Sequence, residues 1–167
     1  MLNKPDSSLR VVIADYRDPT QGEALLQLLN EYAMDPMGGG APITAHTRAN
    51  LLHSLANEPQ AVTFLAELDG KYVGLANCFF GFSTFACAKL INIHDFAVSP
   101  GLRGQGIGQA LMAAVENHAR EHGCCKVTLE VLEGNKVAQR LYQRCGFAGY
   151  ALDPEAGQAM FWDKKLN

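Results

Sequence analysis

Apolar and polar positions along the chain change rhythm several times, and each change marks an element. Residues 9–14, Leu-Arg-Val-Val-Ile-Ala, form a short β-branched run that predicts a strand. Asp18-Pro19 then opens a helix, with Leu25, Leu26, Leu28 and Leu29 as its apolar flank to about residue 32. Asp35-Pro-Met-Gly-Gly-Gly-Ala-Pro42 breaks the pattern and reads as a loop. Thr44 or Thr47 caps a second short helix reaching about residue 56. Strand patterns follow at 61–68 and 72–80, flanking the hairpin signal Asp69-Gly70, and at 88–98, ended by Ser99-Pro100. Residues 106–122 predict a helix with Ile107, Leu111, Ala114 and Val115 on one side and Gly123 as its stop. Residues 126–132 alternate Val127, Leu129 and Val131 as a strand, 135–145 form a helix ended by Gly146, and 147–152 with 159–164 predict a closing strand pair. The order β-α-α-β-β-β-α-β-α-β-β implies an α/β (α+β) fold, a mixed sheet with helices on its faces.

Composition narrows the function classes. The length of 167 residues fits one domain, residues 1–167, and 48% hydrophobic with 19% charged residues is ordinary for a globular protein. A formal charge of −3 supplies no global basic field, so neither nucleic acid nor an anionic membrane is an expected partner. Residues 72–88 carry no charge, but they are too short for a span and are interrupted by Asn77, Gly81, Ser83 and Thr84; two buried strands explain them better. Five cysteines, with no C-x-x-C, read as reduced, mostly buried thiols of a cytoplasmic protein. Residues 1–10 lack the apolar stretch of a secretory signal.

An acidic protein that binds an anion needs a local device, and residues 98–109, Val-Ser-Pro-Gly-Leu-Arg-Gly-Gln-Gly-Ile-Gly-Gln, supply one. A strand, a turn and a helix start follow one another here. The helix N-terminus offers unpaired N–H groups and partial positive charge, and glycines let a ligand approach the backbone. Arg103 adds a fork of donors. Glycine costs ~1 kcal/mol against alanine inside a helix, so glycines at alternate positions 104, 106 and 108 are poor candidates for idle helix residues. The spacing misses a Rossmann fingerprint, because Gly108 comes one residue early, and a P-loop, because no Gly-Lys-Ser/Thr is present.

The sequence resembles the GNAT superfamily of N-acetyltransferases. Arg103, Gly106 and Gly108 fill its R/Q-x-x-G-x-G/A element, and residues 135–147, Asn-Lys-Val-Ala-Gln-Arg-Leu-Tyr-Gln-Arg-Cys-Gly-Phe, fill a second one. The resemblance implies a mostly antiparallel mixed sheet whose strand at 94–98 bulges and splays from its neighbour, with acetyl-coenzyme A in the gap. It implies that backbone groups of Phe96, Ala97 and Val98 hold the pantetheine arm. Arg103, Gly104, Gln105, Gly106, Ile107, Gly108 and Gln109 would cradle the pyrophosphate, Asn135 would touch the cofactor, and Tyr142 would protonate the departing thiolate. A small amine-bearing acceptor, direct transfer, no metal and a homodimer complete the expectation. A protein N-terminus or lysine as acceptor, and a non-catalytic sensor of acyl-coenzyme A, are the alternatives.

Several residues carry plainer readings beside these. Asn135 is a good N-cap with or without a ligand. Tyr142 also suits a core beside Leu141. Strand alternation lets only one of His94 and Asp95 face a cleft; His94 is the candidate proton acceptor, since imidazole changes charge near neutral pH, and Asp95 the less favoured one. His118-Ala-Arg-Glu-His122 matches an H-x-x-E-H metal pattern, yet a structural pair near a helix C-terminus is the expected reading. A covalent route through Cys145 lacks an evident histidine partner. The loop at 34–42, with Met37 and three glycines, is expected to wall the acceptor side as a lid.

Overall fold

The computed structural model describes residues 8–150, 153, 155 and 157–166. It contains β1 (Leu9–Ile13), α1 (Pro19–Met34), α2 (Ala45–Ala56), β2 (Ala61–Leu68), β3 (Lys71–Ser83), β4 (Ala88–Val98), α3 (Ile107–Glu121), β5 (Val127–Leu129) and α4 (Lys136–Arg144), with a 3-10 turn at Pro100–Leu102. The five strands lie in sequence order; β1 to β4 are antiparallel and β5 pairs parallel with β4. Two compact units divide at Leu129 and Glu130. No helix among the described residues is long and apolar enough to cross a membrane.

Local chemistry sets most boundaries. Asp18 accepts from the amides of Thr20 and Gln21 with Pro19 at N1, so α1 begins where its orphan donors are satisfied. Thr44 caps α2 through the Thr47 amide. Asp69 and Gly70 both take positive φ, 51° and 79°, as a two-residue hairpin turn requires.

The sheet of the first unit is covered on both faces. Odd positions of β2 and β3, Leu65 and Leu75, join Leu25 and Leu28 of α1 and Leu55 of α2 in one buried cluster. Even positions face α3: the Phe64 ring meets His118 at 5.4 Å, and a Cβ on Gly74 would lie 3.1 Å from Leu111 and 3.4 Å from Ile107. Gly74 therefore lets the start of α3 lie close on the sheet. Leu111 and Val115 are fully buried, each contributing about 1.5–3 kcal/mol of hydrophobic stabilisation.

Two expectations fail near the C-terminus. β5 is shorter than residues 126–132, because its ladder with β4 covers only Ile91 to Ile93, and Val131 and Leu132 are exposed. The closing strand pair does not form among the described residues. Residues 147–150 and 159–164 share one backbone bond, Ala159 N–H to the Tyr150 carbonyl at 3.2 Å, and Met160, Phe161 and Trp162 are exposed. An alternating pattern makes a strand only where a ladder and a buried face accept it. Ala151 and Leu152 lie outside the described residues.

The cysteines also differ from expectation. Cys78 alone is buried, Cys87 and Cys125 are exposed, and Cys124 and Cys145 are intermediate. Burial, with Asp95 nearby, pushes the Cys78 thiol up to about 12, which makes it a packing residue without nucleophilic character.

Candidate functional site

β4 carries one residue more than its partner needs. Asn77 of β3 stands opposite Asp95 and Cys78 stands opposite Ile93, so His94 is the inserted residue of a bulge. The insertion resets the alternation. Asp95 now shares the side of Asn77, and the exposed His94 ring lies 4.7 Å from the Phe79 ring. Phe79 packs on the cluster under α1, so both residues of the pair reach the α1 side. The expectation that only one could face a cleft is corrected, because it assumed an unbroken two-residue period. Beyond Ile93 the ladder to β5 stops while pairing with β3 continues through Phe96, Ala97 and Val98.

A shallow cleft on this side is lined by Leu28, Glu31 and Tyr32 of α1 and by Ala97, Val98 and Ser99. The Ser99 hydroxyl donates to Glu31 at 3.1 Å, tying the end of β4 to α1. Burial raises the Tyr32 phenol above its usual range, and the carboxylates of Asp95 and Asp35 raise it further. Behind the cleft runs a buried polar chain. Asn77 Nδ2 donates to Asp95 Oδ2 at 3.0 Å, Thr63 Oγ1 donates to Asn77 Oδ1 at 2.7 Å, and Tyr16 OH lies 3.0 Å from Thr63 Oγ1. Thr63 and Asn77 are only 1% and 4% exposed. The sequence marks these residues weakly: Asn77 interrupts an apolar run, and Thr63 suits any strand.

After Val98 the chain turns through Pro100–Leu102 into the glycine segment. Gly104 and Gly106 take φ of 82° and 83°, and Gly106 caps α3 with no side-chain bond. The amides of Gly104, Gln105, Gly106, Ile107, Gly108 and Gln109 donate to no described residue. A Cβ on Gly104 or Gly106 would meet no atom of the described residues within 4 Å. Open space faced by orphan N–H groups fits a polyanionic ligand such as a pyrophosphate. Ile107 is 1% exposed, so only its backbone is available to such a ligand.

Arg103 is already engaged. Its Nη2 donates to Asp35 Oδ2 at 3.0 Å and its Nε to the Val98 carbonyl at 3.2 Å, which fastens the cradle to the C-terminus of α1. The Met37 amide first, and Arg103 next, hold the Asp35 carboxyl below the usual carboxylate range. The loop after α1 is tightly bonded: Gly38 and Gly40 N–H donate to the Asp35 carbonyl and Ala41 N–H to that of Ala33. A Cβ on Gly38 would fall 1.9 Å from the Tyr32 carbonyl oxygen, so close packing requires that glycine. Met37 remains exposed.

In the second unit Asn135 caps α4, accepting from the Ala138 amide at 3.1 Å. Tyr142 on the same helix is buried, with its ring 6.0 Å from Phe147, and Phe147 N–H donates to the Tyr142 carbonyl. His118 and His122 behave as a packed pair. Their rings are 4.0 Å apart, both lie against Phe80, and His122 Nδ1 bonds the His118 carbonyl at 2.8 Å. Their ligand atoms and those of Glu121 lie within 4.8 Å of one another.

The sequence profile of the acetyltransferase (GNAT) family matches residues 24–147. Among curated proteins, the streptothricin acetyltransferase of Streptomyces lavendulae is 40% identical over 92 residues, covering 54% of this chain and 47% of that one. The thialysine N-epsilon-acetyltransferase of Bos taurus is 31% identical over 118 residues, covering 71% of this chain and 64% of its own. The chain thus spans about half the length of the first relative and just under two thirds of the second. An aminoglycoside acetyltransferase from an uncultured soil metagenomic sample, solved in complex with sisomicin, superposes with a TM-score of 0.77 at 19% identity, covering 95% of this chain and 97% of that one; at this identity the likeness is one of fold.

Proposed function

The chain belongs to the GNAT family of acetyltransferases, and from that premise we propose that it transfers the acetyl group of acetyl-coenzyme A directly to a primary amine. The observation that carries the reading is the run of orphan amides from Gly104 to Gln109 at the end of a bulged β4. When bound, acetyl-coenzyme A supplies an acyl group activated as a thioester.

The residues divide the remaining work. The cradle of residues 103–109 binds the pyrophosphate through backbone donors, with Arg103 leaving Asp35 for it. Backbone groups of Phe96, Ala97 and Val98 hold the pantetheine arm, and Asn135 contacts it. His94, exposed on the α1 side, takes the proton of the acceptor's ammonium group and releases it to solvent. Tyr142 donates a proton to the departing sulfur and recovers one from the newly bonded nitrogen. Proximity and orientation supply most of the acceleration, so no covalent enzyme intermediate is required. Relatives named for streptothricin and thialysine support a small acceptor.

The test incubates the protein and acetyl-coenzyme A with amino acids, a diamine, an aminoglycoside and a peptide bearing a free N-terminus, and reads acetylated product and free coenzyme A by mass spectrometry. At least one small amine is acetylated, and Tyr142→Phe lowers kcat by about 10²-fold, as loss of a positioned acid does, while acetyl-coenzyme A still binds. Binding of acetyl-coenzyme A with no turnover of any amine would establish the sensor instead.

A further inference from the structure

The last turn of α3 gathers ligand chemistry that acetyl transfer leaves unused. His118, Glu121 and His122 each bring one ligand atom to within 4.8 Å of the others. Residues three and four apart are neighbours on a helix surface, so one face carries all three. A tetrahedral ion with bonds of ~2.0–2.1 Å needs its donors about 3.4 Å apart. Glu121 and His122 are exposed, so rotation of their side chains closes the difference while His118 stays in place.

The histidines are also held as ligands need to be. The His118 carbonyl can only accept, so its 2.8 Å bond with His122 Nδ1 puts the proton of a neutral ring on that nitrogen. Nε2 of His122 then carries the lone pair. A ring fixed through one nitrogen by a backbone carbonyl is the arrangement that metal-ligating histidines adopt. His118 is set against the rings of Phe64 at 5.4 Å and Phe80 at 5.8 Å, and the two imidazoles lie 4.0 Å apart. Packing thus preorganises the pair, and an ion would lose little by ordering it further.

Charge at this end of the helix points the same way. Glu121 is the last residue of α3, where the helix dipole disfavours a carboxylate and favours a cation. No ion pair among the described residues includes Glu121, and the adjacent Arg120 is bonded to Glu116 and Asn117. A bound cation would compensate both the carboxylate and the carbonyl end of the helix.

We propose that His118, Glu121 and His122 bind one divalent transition-metal ion, with water completing its coordination. Two imidazoles and a carboxylate suit Zn2+. The role that follows is structural. At ~1.5 Å per residue, α3 puts this site ~20 Å from the glycine cradle at its other end, so the ion clips the last turn of the helix and takes no part in the acetyl transfer.

The experiment titrates the chelator-treated chain with zinc chloride by calorimetry. It compares the wild type with His122→Ala, Glu121→Gln and the double variant Cys124→Ser/Cys125→Ser. The wild type binds one Zn2+ with a Kd in the micromolar range or below, and Zn2+ raises its melting temperature. His122→Ala weakens binding by about tenfold or more, since removing even an outer-shell partner typically costs 10–100-fold. Glu121→Gln weakens it less, because an amide oxygen is a poorer ligand than a carboxylate. Circular dichroism of the metal-free variants matches that of the wild type, which separates loss of the site from loss of the fold. The cysteine variant keeps the wild-type affinity, which separates the site from binding by the neighbouring thiols. A wild type that binds no Zn2+, an affinity unchanged in His122→Ala, or binding abolished in the cysteine variant overturns the assignment.

Discussion

At the scale of single residues, the proposed role of Arg103 requires its side chain to leave Asp35 for the ligand. The guanidinium is about half exposed and bonded to Asp35 at 3.0 Å, so the contact is worth little in water and is open to competition. A pyrophosphate offers more charge and bidentate geometry. Asp35→Asn keeps an oxygen for the Met37 amide while removing the charge that holds Arg103. Calorimetric titration should therefore give an acetyl-coenzyme A Kd lower than wild type, by up to about fivefold, the reach of an exposed ion pair. Weaker binding in that variant places Arg103 outside the ligand contact.

At the scale of elements, the junction of β4 and α3 is built from backbone, and glycine is its working part. Gly106 has φ of 83°, a conformation that costs other L-residues roughly 1–2 kcal/mol, yet no atom of the described residues lies within 4 Å of the position its Cβ would take. Gly106→Leu should fold with a lowered melting temperature while its side chain occupies the cradle. Saturating acetyl-coenzyme A, which at one hundred times Kd stabilises a binding protein by ~2.7 kcal/mol, is expected to shift the wild-type melt and leave the variant's in place. An equal shift in both proteins moves the pyrophosphate site elsewhere. The loop after α1 shows a different use of glycine: Gly38 is required because the Tyr32 carbonyl lies too near for a side chain, and backbone bonds to Asp35 and Ala33 tie the loop to the end of α1.

For the first unit as a whole, His118 couples α3 to the sheet through Phe64 on β2 and Phe80 on β3. Burial lowers its affinity for a proton, His122 lowers it further, and Glu121 opposes them weakly. In the unfolded chain an imidazole titrates near its ordinary value of about 6.5, so below that pH the unfolded state binds the proton before the folded one does. The contribution of His118 is full above about pH 6.5 and is lost as pH falls toward the depressed folded value. Thermal melts between about pH 8 and pH 5 should show a fall on the acidic side that His118→Phe reduces. Asp35, whose carboxyl is also depressed, loses its contribution only below the usual carboxylate range and does not mask this window. An acid-side slope unaltered in His118→Phe assigns it to other groups.

Interactions that close within a few residues were decided by the sequence alone. The Asp18 helix start, the Asp69-Gly70 turn, the full extents of β2 and β4, and the glycine-rich start of α3 were legible because each depends on neighbours along the chain, and the cap of α2 was narrowed to Thr44 or Thr47. Arg103, Gly106 and Gly108, with the residues from Asn135 to Phe147, were enough to indicate the family. The rest needed partners far away in sequence. Arg103 meets Asp35 across 68 positions, and the chain from Tyr16 to Asp95 joins four segments whose order no local pattern records. The bulge at His94 was expected from family resemblance, yet its effect on which way Asp95 points depends on the register between β3 and β4. The alternating residues 159–164 show the converse: a two-residue period is only a disposition, and it becomes a strand where another strand supplies the hydrogen bonds.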